Sequence, residues 1–167
     1  EPDIFILTQK GMGIRFSSQE VRTMGLIAAG VNALKLANGD QVVGMTVLNG
    51  KSELLLVAND GSGWRMEEDA FPTQGRYGAG VIAAKLSNNK LVGLAYGKKN
   101  YQLNLHMHKA AAKTIRIDQI PTGKRATSGK KLIEVKSGDS IIDVVTCEDY
   151  LDSNITQPVR ARKKRAK

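Results

Sequence analysis

Apolar and polar residues alternate in short stretches along this chain. Each stretch is closed by glycine, asparagine or aspartate, and none sustains the period of a helix. The first group predicts strands at Asp3–Thr8, Ile14–Phe16, Val31–Leu36 and Gln41–Leu48. In Val31-Asn-Ala-Leu-Lys-Leu the alternation puts Asn32, Leu34 and Leu36 on one face and Val31, Ala33 and Lys35 on the other. Asn38-Gly39-Asp40 reads as a hairpin turn, because these residues tolerate the positive φ that tight turns require. The signal returns as Asn88-Asn89 and as Ser137-Gly138-Asp139, and Asn49-Gly50 closes the group with another turn. The longer connection from Ser17 to Ile27, with Gly25 inside it and Gly30 beyond, is the variable loop of the unit.

That unit recurs. Residues 6–16 lie over residues 56–66, so that Gly11 meets Gly61, Gly13 meets Gly63 and Arg15 meets Arg65. At the same spacing Gly25, Gly30, Val31, Lys35 and Leu36 meet Gly75, Gly80, Val81, Lys85 and Leu86. A more diverged third copy sets Gly129 on Gly80, Gly138-Asp139 on Gly39-Asp40, Ile120-Pro121 on Phe71-Pro72, and Ile115-Arg116-Ile117 on Ile14-Arg15-Phe16. Four strands in a period of about fifty residues make a unit the size of a propeller blade. The prediction is an all-β chain of three four-stranded blades, at about residues 1–52, 53–100 and 101–150, with a flexible basic tail at 152–167. Closed propellers use about four to eight blades, so three imply an incomplete or open ring. Further blades upstream are the expected completion, and a start at Glu1 inside a strand pattern reads as a piece of a longer protein. An open crescent and two chains completing one another are the alternatives.

Charge changes this picture only after it is divided. Of the net +9, six charges lie in Arg-Ala-Arg-Lys-Lys-Arg-Ala-Lys at 160–167, which leaves +3 on the other 159 residues. The body is therefore nearly balanced, and the tail reads equally well as a solubilising end or as an arm for polyanions. A single cysteine, Cys147, excludes an internal disulfide framework and fits a reducing compartment. The chain contains neither an apolar run long enough for a spanning helix nor a secretory signal pattern.

The candidate chemistry is cationic. In Ile14-Arg15-Phe16, Trp64-Arg65-Met66 and Ile115-Arg116-Ile117 the apolar neighbours are expected to face the core, so that Arg15, Arg65 and Arg116 point outward as a spaced positive track. The competing reading has each arginine capping carbonyls of a neighbouring loop, or pairing with an acid such as Glu20 or Glu67. The glycine-rich loops add Arg22, Arg76, Lys124 and Arg125, where exposed backbone N–H groups suit phosphate contact. Lys130 and, in the tail, Arg160 and Arg162 complete the candidates for phosphate contact. Lys35 and Lys85 recur but give way to Glu134, so they are surface positions first. His106 and His108 share a strand face without a third ligand and make a poor zinc site. Cys147 precedes Glu148-Asp149, a setting that disfavours a thiolate. No catalytic constellation or phosphate loop is present in the sequence, so neither catalysis nor a cofactor is expected of this segment.

At Gly11-Met-Gly-Ile-Arg-Phe, Val21-Arg-Thr-Met-Gly and the stretch from Ala29 to Gly44, the chain resembles the C-terminal domain of the bacterial DNA gyrase A protein, and the resemblance extends over residues 5–149. It implies a β-pinwheel, in which neighbouring blades exchange strands. It also implies a task, the sequence-independent bending and wrapping of duplex DNA beside a catalytic core and a partner ATPase. The same resemblance implies a location on the bacterial chromosome in the cytoplasm. Gln74–Gly80 matches the family's Gln-Arg-Arg-Gly-Gly-Lys-Gly box only at Gln74, Arg76, Gly78 and Gly80, and is not counted as that box. The corresponding protein of topoisomerase IV shares the architecture and stays open as the paralogue. None of Tyr77, Tyr96, Tyr101 or Tyr150 takes the role of the family's catalytic tyrosine. The rival from another class is a propeller-type protein-interaction module.

Overall fold

The computed structural model describes residues 1–147; the tail at 152–167, with Arg160 and Arg162, lies outside the described residues. The strands are β1 (Asp3–Thr8), β2 (Met12–Ser17), β3 (Val42–Leu48), β4 (Glu53–Ala58), β5 (Ser62–Glu67), β6 (Val81–Ile82), β7 (Leu91–Gly97), β8 (Gln102–Met107), β9 (Lys113–Arg116), β10 (Lys130–Lys131) and β11 (Ile141–Cys147). They form three antiparallel sheets with orders β3-β1-β2-β6, β10-β5-β4-β7 and β11-β8-β9.

The orders show that blades 1 and 2 are each finished by a strand of the following repeat. β6, from the second repeat, pairs with β2 of blade 1 through Met12↔Ile82 and Gly13↔Val81. β10, from the third repeat, pairs with β5 of blade 2 through Ser62↔Lys131 and Gly63↔Lys130. Blade 3 has three strands among the described residues. Val31–Leu36, expected as a strand of blade 1, is instead irregular. The reason is non-local: its counterparts serve the preceding blade, and no preceding blade is among the described residues to pair with it.

Glycine makes the exchange possible at two kinds of place. Gly11 and Gly61, with φ of +85° and +87°, end the first hairpin turn of blades 1 and 2. The Gly11 carbonyl accepts from Ala83 and Ala84 N–H, and the Gly61 carbonyl from those of Leu132 and Ile133. A Cβ at either glycine would stand 2.7 or 2.6 Å from the incoming segment's backbone oxygen. On the inner strands, a Cβ at Gly44 would lie 2.5 Å from Leu94 Cβ, and one at Gly93 2.4 Å from Val144. Gly44→Val should overpack that inner contact, at a cost of about 1–3 kcal/mol in chemical denaturation. Leu94→Ala in the same chain should recover part of the loss; strict additivity of the two changes would show that they do not touch.

Apolar layers between blades form the core. Phe5 and Leu7 of blade 1 pack with Leu54, Leu56, Trp64 and Phe71 of repeat 2. Leu55 and Val57 of blade 2 pack with Leu103, Leu105 and Ile117 of repeat 3. β4 is covered on both sides, which is why Leu54 to Ala58 read as a continuous apolar run rather than an alternation.

The joint between repeats 1 and 2 is polar and buried. Glu68, in the 3₁₀ turn Glu68–Ala70, accepts from Gly50 N–H at 3.0 and 3.1 Å and from the Tyr96 hydroxyl, while Asn49 N–H donates to the Tyr96 oxygen at 2.7 Å. Burial, reinforced by the Glu68 carboxylate, raises the Tyr96 pKa above its ordinary value of 10.0. A raised folded-state pKa gives stability that is complete below the unfolded value and is lost as pH rises through the folded one. Tyr96→Phe should therefore lower stability near neutrality by about 1–2 kcal/mol and flatten its fall above about pH 10. An unchanged alkaline limb in pH-dependent denaturation would contradict this role.

Candidate nucleic-acid interface

Arg15 and Arg65 stand at matching positions, opposite Phe5 and Leu55 in the β1–β2 and β4–β5 ladders. They face the next blade and not open solvent, and their side chains are only 18% and 13% exposed. Arg15 Nε donates to Asp3 at 2.7 Å, and its Nη1 reaches the Glu68 and Phe71 carbonyls and Asp69 of the next repeat. Arg65 Nε donates to the Ile120 carbonyl at 2.7 Å, and its Nη1 to both oxygens of Glu53. Burial disfavours the charge of Arg15, but the hydrogen bond and charge of Asp3, then those of Asp69, outweigh it and raise its pKa. The expected outward track is thus corrected at these two arginines. A guanidinium neutralised by an acid on its own blade's first strand, and spent on the next blade's carbonyls, is a latch.

The third member is corrected in register. Thr114 faces Asn104 in the β8–β9 ladder, as Arg15 faces Phe5, while Arg116 faces Gln102. Arg116 therefore matches Ser17 and Glu67 at the strand end, where it is 56% exposed and pairs with Asp118 at 2.5 Å.

Arg76 and Arg125 form a second, reciprocal set of latches. Arg76 donates to the Glu20 and Asn32 carbonyls of repeat 1, and Arg125 to the Ala70 and Ile82 carbonyls of repeat 2. Each junction thus carries one arginine reaching forward and one reaching back. The sequence contained the signal, since Arg76-Tyr77 and Arg125-Ala126 share a spacing in their repeats, and Tyr77 and Ala126 both adopt positive φ.

The remaining cations lie elsewhere. Arg22, Lys35, Lys85, Lys124 and Lys130 are exposed or half-buried and make no salt bridge among the described residues. Lys130 and Lys131 lie on β10, the outermost strand of blade 2, with Lys131 paired to Glu134. Lys85 continues the equivalent segment behind β6. The end of the blades where repeats join is of mixed charge: a cleft of about 550 Å³ there is lined by Glu53, Glu67, Glu68 and Asp69 together with Lys51, Lys98 and Lys99, with Asp69 94% exposed. His106 and His108 are exposed, and among the described residues no group of three or more His, Cys, Asp or Glu is placed to hold a metal ion. Cys147 is half-buried and accepts a hydrogen bond from Asn104 at 3.1 Å. No helix among the described residues is long and apolar enough to cross a membrane.

Strand-exchanged all-β blades in an open array, with cations on the outer strands, define a β-pinwheel class of module. The family described as "DNA gyrase C-terminal domain, beta-propeller" matches residues 2–49, 52–95 and 108–148, and the chain belongs to it. It is 32% identical over 157 residues to the DNA gyrase A protein of Lawsonia intracellularis, a match covering 90% of this chain and 19% of that protein. It is 35% identical over 150 residues to the DNA gyrase A protein of Campylobacter fetus, covering 86% of this chain and 17% of that protein. The chain therefore spans about a fifth of the length of these relatives. Among solved structures it superposes on a topoisomerase IV C-terminal domain with a TM-score of 0.83 at 21% identity, covering 88% of this chain and 47% of that one. A gyrase A C-terminal domain gives 0.80 at 21% identity, covering 88% and 51%. The fold class and the family resemblance expected from the sequence both hold.

Proposed function

We propose that this chain binds duplex DNA without sequence preference and bends it over the outer strands of the blades. In this reading it is the DNA-wrapping part of the gyrase A protein of a type IIA topoisomerase, whose catalytic core and ATPase partner perform strand passage on the bacterial chromosome in the cytoplasm. The observation that carries the reading is the set of acid-free cations on the outer segments and loops, Lys85 and Lys130 foremost, in a chain of the gyrase C-terminal family.

The mechanism is electrostatic. Smooth bending of a short duplex costs about 1–6 kcal/mol, and up to about 10 for stiff sequences, so several phosphate contacts must act together. Arg22, Lys35, Lys85, Lys124 and Lys130, with Lys131 once it exchanges Glu134 for phosphate, would neutralise phosphates and release counterions, with no base readout. The chain's own backbone latches keep the blades from shearing while the duplex is bent. A salt titration with random-sequence duplex tests the proposal. Six contacts give a slope of log K against log salt near −5, and roughly a thousandfold loss between 50 and 200 mM. A protein-interaction module would show no affinity at physiological salt. Repeating the titration after deleting residues 159–167 assigns the slope to the blades or to the tail.

A further inference from the structure

The sequence contains two Asn-Gly pairs, Asn38-Gly39 and Asn49-Gly50, and the fold treats them in opposite ways. Both pairs are exposed, and both glycines sit at positive φ, +65° and +71°. Exposure and backbone freedom therefore do not separate them. The difference lies in the charge and the hydrogen bonding around each glycine N–H.

At Gly50 the N–H donates to both Glu68 oxygens, at 3.0 and 3.1 Å. Asn49 is held as well: its Oδ1 accepts from Lys51 N–H at 3.0 Å and lies 2.7 Å from the Tyr96 hydroxyl. At Gly39 the surroundings are reversed. Among the described residues neither the Gly39 N–H nor the Asn38 carboxamide makes a hydrogen bond, and the neighbouring charge is a cation. Lys10 Nζ receives the Asn38 main-chain carbonyl at 2.7 Å as its donor, and a Cβ built on Gly39 would lie 3.6 Å from that ammonium. The turn itself is fixed. Asp40 N–H donates to the Ala37 carbonyl at 3.0 Å, and the Asp40 carboxylate accepts from Lys10 N–H at 2.9 Å. The matching turns of the other repeats lack one half of the pair, since Asn88 is followed by Asn89 and Gly138 is preceded by Ser137. The Asn89 carboxamide is moreover engaged by Asp60, Ser62 and Ser87.

We propose that Asn38-Gly39 is a self-modification site, at which Gly39 N closes on the Asn38 side chain and turns it into a carboxylate, while Glu68 keeps Asn49-Gly50 inert. The step needs only water. Gly39 N gives its proton to solvent hydroxide and bonds to Asn38 Cγ; the Cγ–Nδ2 bond breaks, and ammonia leaves with a proton from water. Water then opens the cyclic imide. Cleavage of the N–Cγ bond gives aspartate, and cleavage of the bond from N to the main-chain carbonyl carbon gives isoaspartate. Closure passes through a deprotonated amide nitrogen and an oxyanion, which the Lys10 ammonium stabilises and the Glu68 carboxylate destabilises. At Gly50 the charge-assisted bond to Glu68 must also break before the nitrogen can turn toward Cγ. The product at residue 38 adds a negative charge beside Lys10 on a nearly balanced body. As isoaspartate it also inserts an extra main-chain carbon between Ala37 and Asp40, which disturbs the bond closing the turn and the cap on Lys10.

The test follows both sites by peptide mapping of the full chain held at mildly alkaline pH. The ratio of the two conversion rates in the urea-unfolded chain is the reference. Folding should shift that ratio in favour of Asn38 on the order of tenfold or more, the factor that a hydrogen bond to a charged group represents. Lys10→Gln, a change at an exposed residue, should slow Asn38 several-fold in the folded chain and leave Asn49 as it was. A ratio unchanged by folding or shifted toward Asn49, or an Asn38 indifferent to Lys10→Gln, overturns the proposal. Glu68→Gln tests the other half, because its amide oxygen still accepts from Gly50 N–H without the negative charge. Asn49 should then convert faster; slower conversion would make the carboxylate a base in place of a brake, and overturns the proposal as well. Should that variant fail to fold, the shift on folding and Lys10→Gln decide alone.

Discussion

Arg65→Ala should unfold the chain at a markedly lower temperature while leaving the salt dependence of DNA binding unchanged. The substitution strands the Glu53 carboxylate, whose side chain is 15% exposed, and frees the Ile120 carbonyl at the joint between blades 2 and 3. Breaking a fully buried ion pair from one side costs about 3–5 kcal/mol. With partial exposure here the expected loss is roughly 2–4 kcal/mol, or about 5–15 °C in melting temperature for a domain of this size. Glu53→Gln should cost less, since its amide oxygen still accepts from the guanidinium. Arg116→Ala should be nearly neutral, because its pair with Asp118 is exposed and such pairs contribute about 0–1 kcal/mol. Calorimetry on the three variants, with duplex titrations alongside, checks the ranking. A stable Arg65→Ala whose salt slope drops by about one unit would show that this arginine reaches phosphate after all.

The strands were legible because alternation and turn glycines are local signals. Asp3–Thr8 is the observed strand, and the expected Gln41–Leu48 differs by one residue from Val42–Leu48. What stayed hidden depends on distant partners. Val31–Leu36 has the same alternation as any strand, but whether it pairs is decided by a blade before it and not by its own residues. The third arginine was misplaced for a related reason. Side chains in a strand alternate with period two, so a shift of two residues from Thr114 to Arg116 keeps every residue on its expected face. Only the ladder with β8, and the 3₁₀ turn at Ile117–Gln119 matching Glu68–Ala70, fix the register. Recurrence marks Arg15 with Arg65 and Arg76 with Arg125 in the sequence but not what they bind, since their carbonyl partners lie 43 to 56 residues away and carry no side-chain signature. The alternative reading, arginine on loop carbonyls, describes them, although the acids are Asp3 and Glu53 in place of Glu20 and Glu67.

The basic surface of the blades should be found by charge removal on lysines, with the arginines as the contrast. Lys35, Lys85, Lys124 and Lys130 reach solvent and are free of salt bridges among the described residues, so Lys→Gln at all four should leave stability within about 0.5 kcal/mol. Each lost phosphate contact removes about 0.9 from the slope of log K against log salt. The four together should lower it from near −5 to near −2, and the affinity lost between 50 and 200 mM should shrink from roughly a thousandfold to roughly tenfold. Arg76→Gln with Arg125→Gln removes two positive charges from the same loops but also two sets of backbone latches, so its effect should appear in unfolding first. The comparison separates contact from architecture at equal charge per residue, because the lysines end in water while these arginines end on carbonyls. Fluorescence titration in the tail-deleted chain makes the measurement, since six basic groups at 160–167 would otherwise mask a change of four. A quadruple variant with the parent's slope would place the duplex elsewhere on the blades, and would leave the outer lysines as solvated surface on a nearly neutral body.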